Sequence, residues 1–161
     1  MDNAHRLRQQ NPMHRIDLPP VWLLLHGLAA WAVARLEPWG LSFGGAWADL
    51  AAGLLLGGGL LLILVAVAQM RQHRTAVMPR QDASMLLTSG VFRRSRNPIY
   101  LGMALILLGW VLRLDAAFAL PLVPLFMLLI ERRFIAGEEA MLARRFGPAW
   151  ERYRQATRRW L

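Results

Sequence analysis

Apolar residues gather in four stretches, roughly 18–36, 46–70, 99–112 and 116–130, and the segments between and after them are rich in arginine. The first two are long enough for a helix to cross a bilayer, which takes roughly 20 apolar residues. The last two hold about 14 to 15 apolar residues each, so they predict either short spans lengthened by snorkelling Arg113 and Arg132 or a re-entrant hairpin. Pro121 and Pro124 fall inside the fourth stretch and predict a bend there, which a membrane helix tolerates when neighbours satisfy the freed carbonyls. In the second stretch Gly53 and Gly57 form a small-xxx-small pair, with Gly58 and Gly59 adjoining. Such a pair allows close contact with another helix of the chain or, in a homodimer, of a second copy. The pattern predicts an all-α, polytopic membrane protein of about four transmembrane helices in one domain, 1–161. The helix bounds are about 18–36, 46–70, 97–113 and 116–133, with the third and fourth forming a tight hairpin.

Composition fits this class, being 56% hydrophobic with a positive mean hydropathy. The formal charge is +9, and all 19 basic residues are arginines. All but Arg35 and Arg113 fall in segments on one side of an even number of spans, which places both termini in the cytoplasm. The outer turns are then about 37–45 and 113–115. Arginines spread over loops at a membrane face read as a topology signal that also contacts anionic lipid headgroups. They offer no base-stacking platform, which argues against nucleic acid. The chain has no cysteine, so disulfides, thiolate nucleophiles and zinc-thiolate sites are excluded, and no metal is expected. The polar segment 1–17 is too long to be the charged region of a cleavable signal peptide, so the first stretch reads as a retained helix.

The tail 134–161 mixes apolar anchors such as Phe134, Phe146, Trp150 and Trp160 with charge, and is broken near Gly147 and Pro148. It predicts an amphipathic helix lying at the interface. Three features suggest chemistry. In Ser95-Arg96-Asn97-Pro98-Ile99-Tyr100-Leu101-Gly102, Asn97 and Pro98 make a good helix start, but a tyrosine one turn on and an arginine before the cap go beyond that need. A helix start favours an anion and an aromatic face holds a cation such as a sulfonium, two charges that S-adenosylmethionine carries together. Glu138-Glu139 sits among arginines, where surface ion pairing is the ordinary explanation. Thr88-Ser89-Gly90-Val91-Phe92 is a turn followed by an aromatic.

In their order and spacing, Leu87-Thr88-Ser89-Gly90-Val91-Phe92, then Arg96 to Gly102, then Glu138-Glu139 with Phe146-Gly147 and Tyr153, resemble the isoprenylcysteine carboxyl methyltransferase and phospholipid methyltransferase superfamily. The resemblance covers about His73 to Tyr153. It implies a bacterial-type inner-membrane enzyme that binds S-adenosylmethionine through about 73–102 and 131–153. Ser84, Met85, Leu86, Leu87, Phe92, Arg96, Asn97, Pro98, Ile99, Tyr100 and Gly102 would contact the cofactor. Glu138 matches the family's cofactor-binding glutamate, its carboxylate suiting ribose hydroxyls or the amino group. Where the isoprenylcysteine branch has Arg-His-Pro this chain has Arg-Asn-Pro. Where that branch has a substrate-contacting arginine this chain has Phe134, with Arg132 and Arg133 just upstream.

Methyl transfer from a sulfonium needs alignment and exclusion of water more than strong acids or bases. For a carboxylate acceptor an arginine such as Arg132 would orient it, and for an amine Glu131 or Glu139 would take the proton. A lipophilic small-molecule or lipid acceptor would enter laterally from the bilayer. His26 reads either as a marker of that path or as an interhelical hydrogen-bonding group. His73, Arg71 and Arg74 serve either to close over the cofactor or to signal topology. Two rivals stand beside this reading: an NADPH-dependent membrane reductase of the sterol-reductase type, whose 2'-phosphate the basic loops would suit, and a non-enzymatic membrane interaction protein.

Overall fold

The computed structural model describes residues 17–36, 43–75 and 84–161, and all secondary structure among them is helical. In chain order it comprises α1 (Pro19–Leu36), α2 (Ala46–Gln72), a 3-10 turn (Gly90–Arg93), α3 (Pro98–Arg113), a second 3-10 turn (Ala117–Ala119), α4 (Leu122–Ile130), a π-helical turn (Glu131–Ile135), α5 (Ala136–Phe146) and α6 (Pro148–Ala156). Among the described residues α2 is the helix that by length and composition alone can cross a membrane.

Local chemistry sets several of these ends. Proline at the first turns of α1, α3 and α6 gives up an N–H that no helix start uses and supplies a φ already helical. At the end of α2 the N–H of Arg74 reaches Arg71 O and that of Thr75 reaches Met70 O, with Arg74 at φ 52°. This is a Schellman closure with arginine in the left-handed position that glycine usually takes. Asp115, at φ 55°, closes α3 in the same way and accepts a hydrogen bond from the N–H of Phe43.

The fourth apolar stretch departs from the helix 116–133 that its pattern predicts. Its first residues form the 3-10 turn and the helix begins only after Pro121, so Pro124 falls in the first turn and no bend is needed. The helical path then runs through the π-helical turn into the charged α5. A π turn shifts the angular phase of the helix beyond it. Here it lies between buried Phe126 and Ile130 and the polar face carrying Glu138 and Glu139.

α3 is the central element: α1, α2 and α4 all pack on it. The seam with α2 is made of small residues, Ala52 and Gly59 on α2 against Gly109 and Gly102 on α3, with buried Ala66 seven residues further along α2. A Cβ on Gly59 would stand 2.6 Å from Gly102 O, and one on Gly102 the same distance from Gly59 O. The backbones are therefore in direct contact, a packing that only glycine permits. The Gly53 and Gly57 pair does not make this contact. A Cβ at 53, 57 or 58 would meet nothing within 4 Å, because these positions lie off the face that carries 52, 59 and 66. Phe126, Leu107, Ile130, Phe134 and Ile135 form the main core, while Leu24, Leu50, Leu54 and Leu61 point outward.

Gly102→Ala should therefore lower the melting midpoint in detergent, with a cost of about 1–3 kcal/mol from overpacking. Gly53→Ala should hold or raise it, because alanine is the better helix former by about 1 kcal/mol. Equal effects from the two substitutions would refute the seam.

Candidate active site

The segment before α3 is pinned from both sides. Gly90, at φ 58°, lies so close to Gln69 that any side chain would overlap it, and Gln69 Oε1 accepts the N–H of Val91 at 3.2 Å. Phe92 packs with Ala66 and Leu87, which fastens the loop to the C-terminal part of α2. On the other side the Tyr153 hydroxyl donates to Phe92 O at 2.6 Å. Burial pushes that phenol up from its ordinary value, so it remains a donor well into the alkaline range.

Arg96 is held almost entirely by the end of the chain. Its N–H donates to Arg158 O at 3.0 Å, and Nη1 donates to Arg154 O at 2.9 Å and to Thr157 O at 3.2 Å. Nη2 binds Glu139 Oε1 at 3.0 Å, and the guanidinium sits 5.7 Å from the centre of the Trp150 ring. The Arg96 side chain is 9% exposed, and its Nε is buried without a hydrogen-bond partner among the described residues. Arg159 completes the network. Its Nε and Nη2 grip both oxygens of Glu139 at 3.1 and 2.6 Å, and its Nη1 binds Glu131. The carbonyl of Arg159 accepts Ser95 Oγ–H at 3.3 Å and Asn97 Nδ2–H at 3.1 Å. The helix-capping role expected of Asn97 is thus not performed by its side chain, which reaches the tail instead.

Beside this network lies a cavity of about 430 Å³. Of the residues the sequence assigns to a cofactor, Met85, Leu86, Leu87 and Phe92 line it from the loop. Arg96, Asn97, Pro98, Ile99 and Tyr100 line it from the start of α3, and Glu138 from α5. Tyr100 Oη donates to Glu138 Oε1 at 2.7 Å, so the aromatic and the carboxylate form one unit. Two assigned residues lie off the wall. Ser84 Oγ donates to Arg74 O at 2.8 Å, and Gly102 belongs to the α2–α3 seam.

Of the three residues proposed to handle the acceptor, Glu139 lines the cavity but has both oxygens bound to arginine, and Glu131 is paired with Arg159. Arg132 is exposed and not part of the wall. Its neighbour Arg133 pairs with Asp17 at 2.6 Å and stacks over Trp22, tying the π turn to the start of α1. His26 Nδ1 lies 2.8 Å from Trp22 O, and its ring meets Phe126 edge-on. Sequence reasoning missed the tail as a structural partner of Arg96. Arg158-Arg159 reads as two more charges at a membrane face, and no spacing links residue 159 to residue 96.

A family model described as phospholipid methyltransferase matches residues 47–149, more than half of the chain. The protein belongs to that family, and so to the membrane methyltransferases. The match stops before Tyr153 and the tail residues that hold Arg96. A protein of Haemophilus influenzae described as uncharacterized is 44% identical over 63 residues, covering 39% of this chain and 100% of that protein. No solved structure matches the chain.

Arg159→Ala should lower the detergent melting midpoint by the equivalent of about 1–3 kcal/mol, after discounting for its partial exposure. Arg159→Lys should recover less than half of this, because an ammonium cannot grip a carboxylate at two points. An unchanged midpoint in the alanine variant would remove Arg159 from the network's support.

Proposed function

We propose that the protein transfers a methyl group from S-adenosylmethionine to a lipophilic acceptor held in the membrane. The observation that carries this reading is the two-sided cavity. One wall presents Arg96, Asn97, Tyr100 and Glu138, and the other presents Leu18 and Pro20 from the start of α1 with Ile63, Val67 and Met70 from α2. Its lining offers contacts to a polar ligand and to an apolar one. Its volume lies within the range of small-molecule sites, about 300–1,000 Å³.

The residues suit the cofactor. Arg96 on the wall offers a positive charge to a carboxylate. Glu138 offers an acceptor to ribose hydroxyls or to an ammonium, and the Tyr100 ring offers a face to a sulfonium. When bound, S-adenosylmethionine supplies an electrophilic methyl carbon. The chain's own contribution is positional: Tyr100 and Glu138 brace each other, and Met103 with the α1 and α2 side chains keeps water from the reacting line. Glu139 holds both Arg96 and Arg159, and Glu131 holds Arg159, rather than accept protons.

The membrane arrangement we infer has α1 to α4 within the bilayer, both termini in the cytoplasm, and α5 and α6 at the inner interface. Outward leucines on α1 and α2 support it, as does the crowding of the cavity's charged groups at the arginine-rich end. The acceptor would enter where α1 and α2 flank α3 without packing closely on each other.

Calorimetric titration with S-adenosylhomocysteine tests the proposal, with NADPH as comparator. Saturable binding is expected for the product, weakened about tenfold, roughly 1.4 kcal/mol, in Glu138→Gln and lost in Tyr100→Ala. Unchanged affinity in Glu138→Gln would remove that residue from the site. Binding of NADPH alone would make the protein a reductase, and binding of neither by the folded protein would leave a non-enzymatic role.

A further inference from the structure

Four of the five methionines among the described residues converge on the site cavity. Each comes from a different part of the chain: Met70 from α2, Met85 from the segment before the first 3-10 turn, Met103 from α3 and Met141 from α5. The fifth, Met127 on α4, packs against the main core instead. Methyl transfer gives these thioethers no task beyond filling space. A thioether is nonetheless a group that a peroxide turns from apolar to polar without breaking the chain. The chain has no cysteine, so no thiol competes for the oxidant.

The four differ in how readily water reaches them. Met85 is 47% exposed, Met70 and Met141 are half-buried, and Met103 is 7% exposed. Met85 is fastened to the end of α2. Ser84 Oγ donates to Arg74 O at 2.8 Å, and the hydroxyl of buried Thr75 donates to Met85 O at 3.5 Å. A water-borne peroxide therefore meets Met85 first, because oxidation follows exposure. The same side chain shares the cavity wall with Leu86, Leu87 and Phe92, so a change there is felt by whatever fills the cavity.

We propose that Met85 is an oxidation-sensitive modification site that weakens the cavity's hold on the cofactor. The sulfur lone pair attacks one oxygen of the peroxide, and the S–O bond forms as the O–O bond breaks. Sulfur gives up two electrons, and the displaced hydroxide takes the proton of the transferred oxygen and leaves as water. The resulting sulfoxide, if it stays in the wall, sets a strong acceptor among apolar side chains, which is costly without a donor. Turned out to water, it leaves a gap in the wall. Both arrangements weaken binding, and a methionine sulfoxide reductase reverses the step. This rests on the methyltransferase reading and adds regulation to that site.

The test treats the full-length protein in nanodiscs with graded hydrogen peroxide. Sulfoxide at each methionine is mapped by mass spectrometry, and S-adenosylhomocysteine affinity is measured on the same sample. Sulfoxide is expected at Met85 before Met70 and Met141, and at Met103 last of the four. Bound S-adenosylhomocysteine should slow the reaction at Met85 and leave that at Met127 unchanged. Affinity should fall about tenfold as Met85 oxidises, and should return after treatment with the reductases for both sulfoxide epimers. Met85→Leu, compared with itself before treatment, should keep its affinity, whereas Met127→Leu should lose it as the wild type does. Met85→Gln should show the loss without peroxide. Full sulfoxide at Met85 with unchanged affinity would overturn the proposal, as would a loss that Met85→Leu does not prevent, or oxidation of Met103 ahead of Met85. Failure of the untreated protein to bind S-adenosylhomocysteine would strike the methyltransferase reading and the proposal with it, while the other adverse outcomes strike the proposal alone.

Discussion

The Arg96 guanidinium is tied to parts of the chain far apart in sequence, and the rest of the site takes its shape from that arrangement. Nη1 binds carbonyls at 154 and 157, Nη2 binds Glu139, and the backbone N–H binds the carbonyl of 158. Both terminal nitrogens are engaged by protein, and Nε is buried without a partner among the described residues. A buried cation is costly unless paired, so the network must hold together as a unit: loss of Arg159 would leave Glu139 with one partner and Arg96 less firmly fixed. The start of α3, α5 and the tail are joined by this set of charges.

A second constraint acts further along the bundle. The Gly59–Gly102 contact brings α2 and α3 together at backbone distance, and α1 lies on another part of α3. Between α1 and α2, over the intervening face of α3, there remains a space that the close seam does not fill. The site cavity occupies it.

Much of the site was legible in the sequence because its pieces are local. Arg96 to Tyr100 is a helix start, and residues on one helical turn share a face whatever the remainder of the chain does. Met85 to Phe92 and Glu138 came from resemblance to a family and could not have been placed from spacing alone. Gly102 and Ser84 were assigned to the cofactor by the same resemblance, as members of the segments that carry it. Adjacency does not say which way a residue faces: Gly102 looks toward α2 and Ser84 toward the end of that helix.

Hydrophobic periodicity and arginine placement by themselves determined the helical class and a basic end, because these depend on composition over whole turns rather than on any particular contact. Only the tertiary structure decided which glycines form the seam, that the helix after Pro121 runs on through a π turn, and that the last residues of the chain hold Arg96. Each of these depends on groups distant in sequence meeting at hydrogen-bond or van der Waals distance. Such encounters are fixed by the packing of elements against each other, and neither the order nor the spacing of residues along the chain records them.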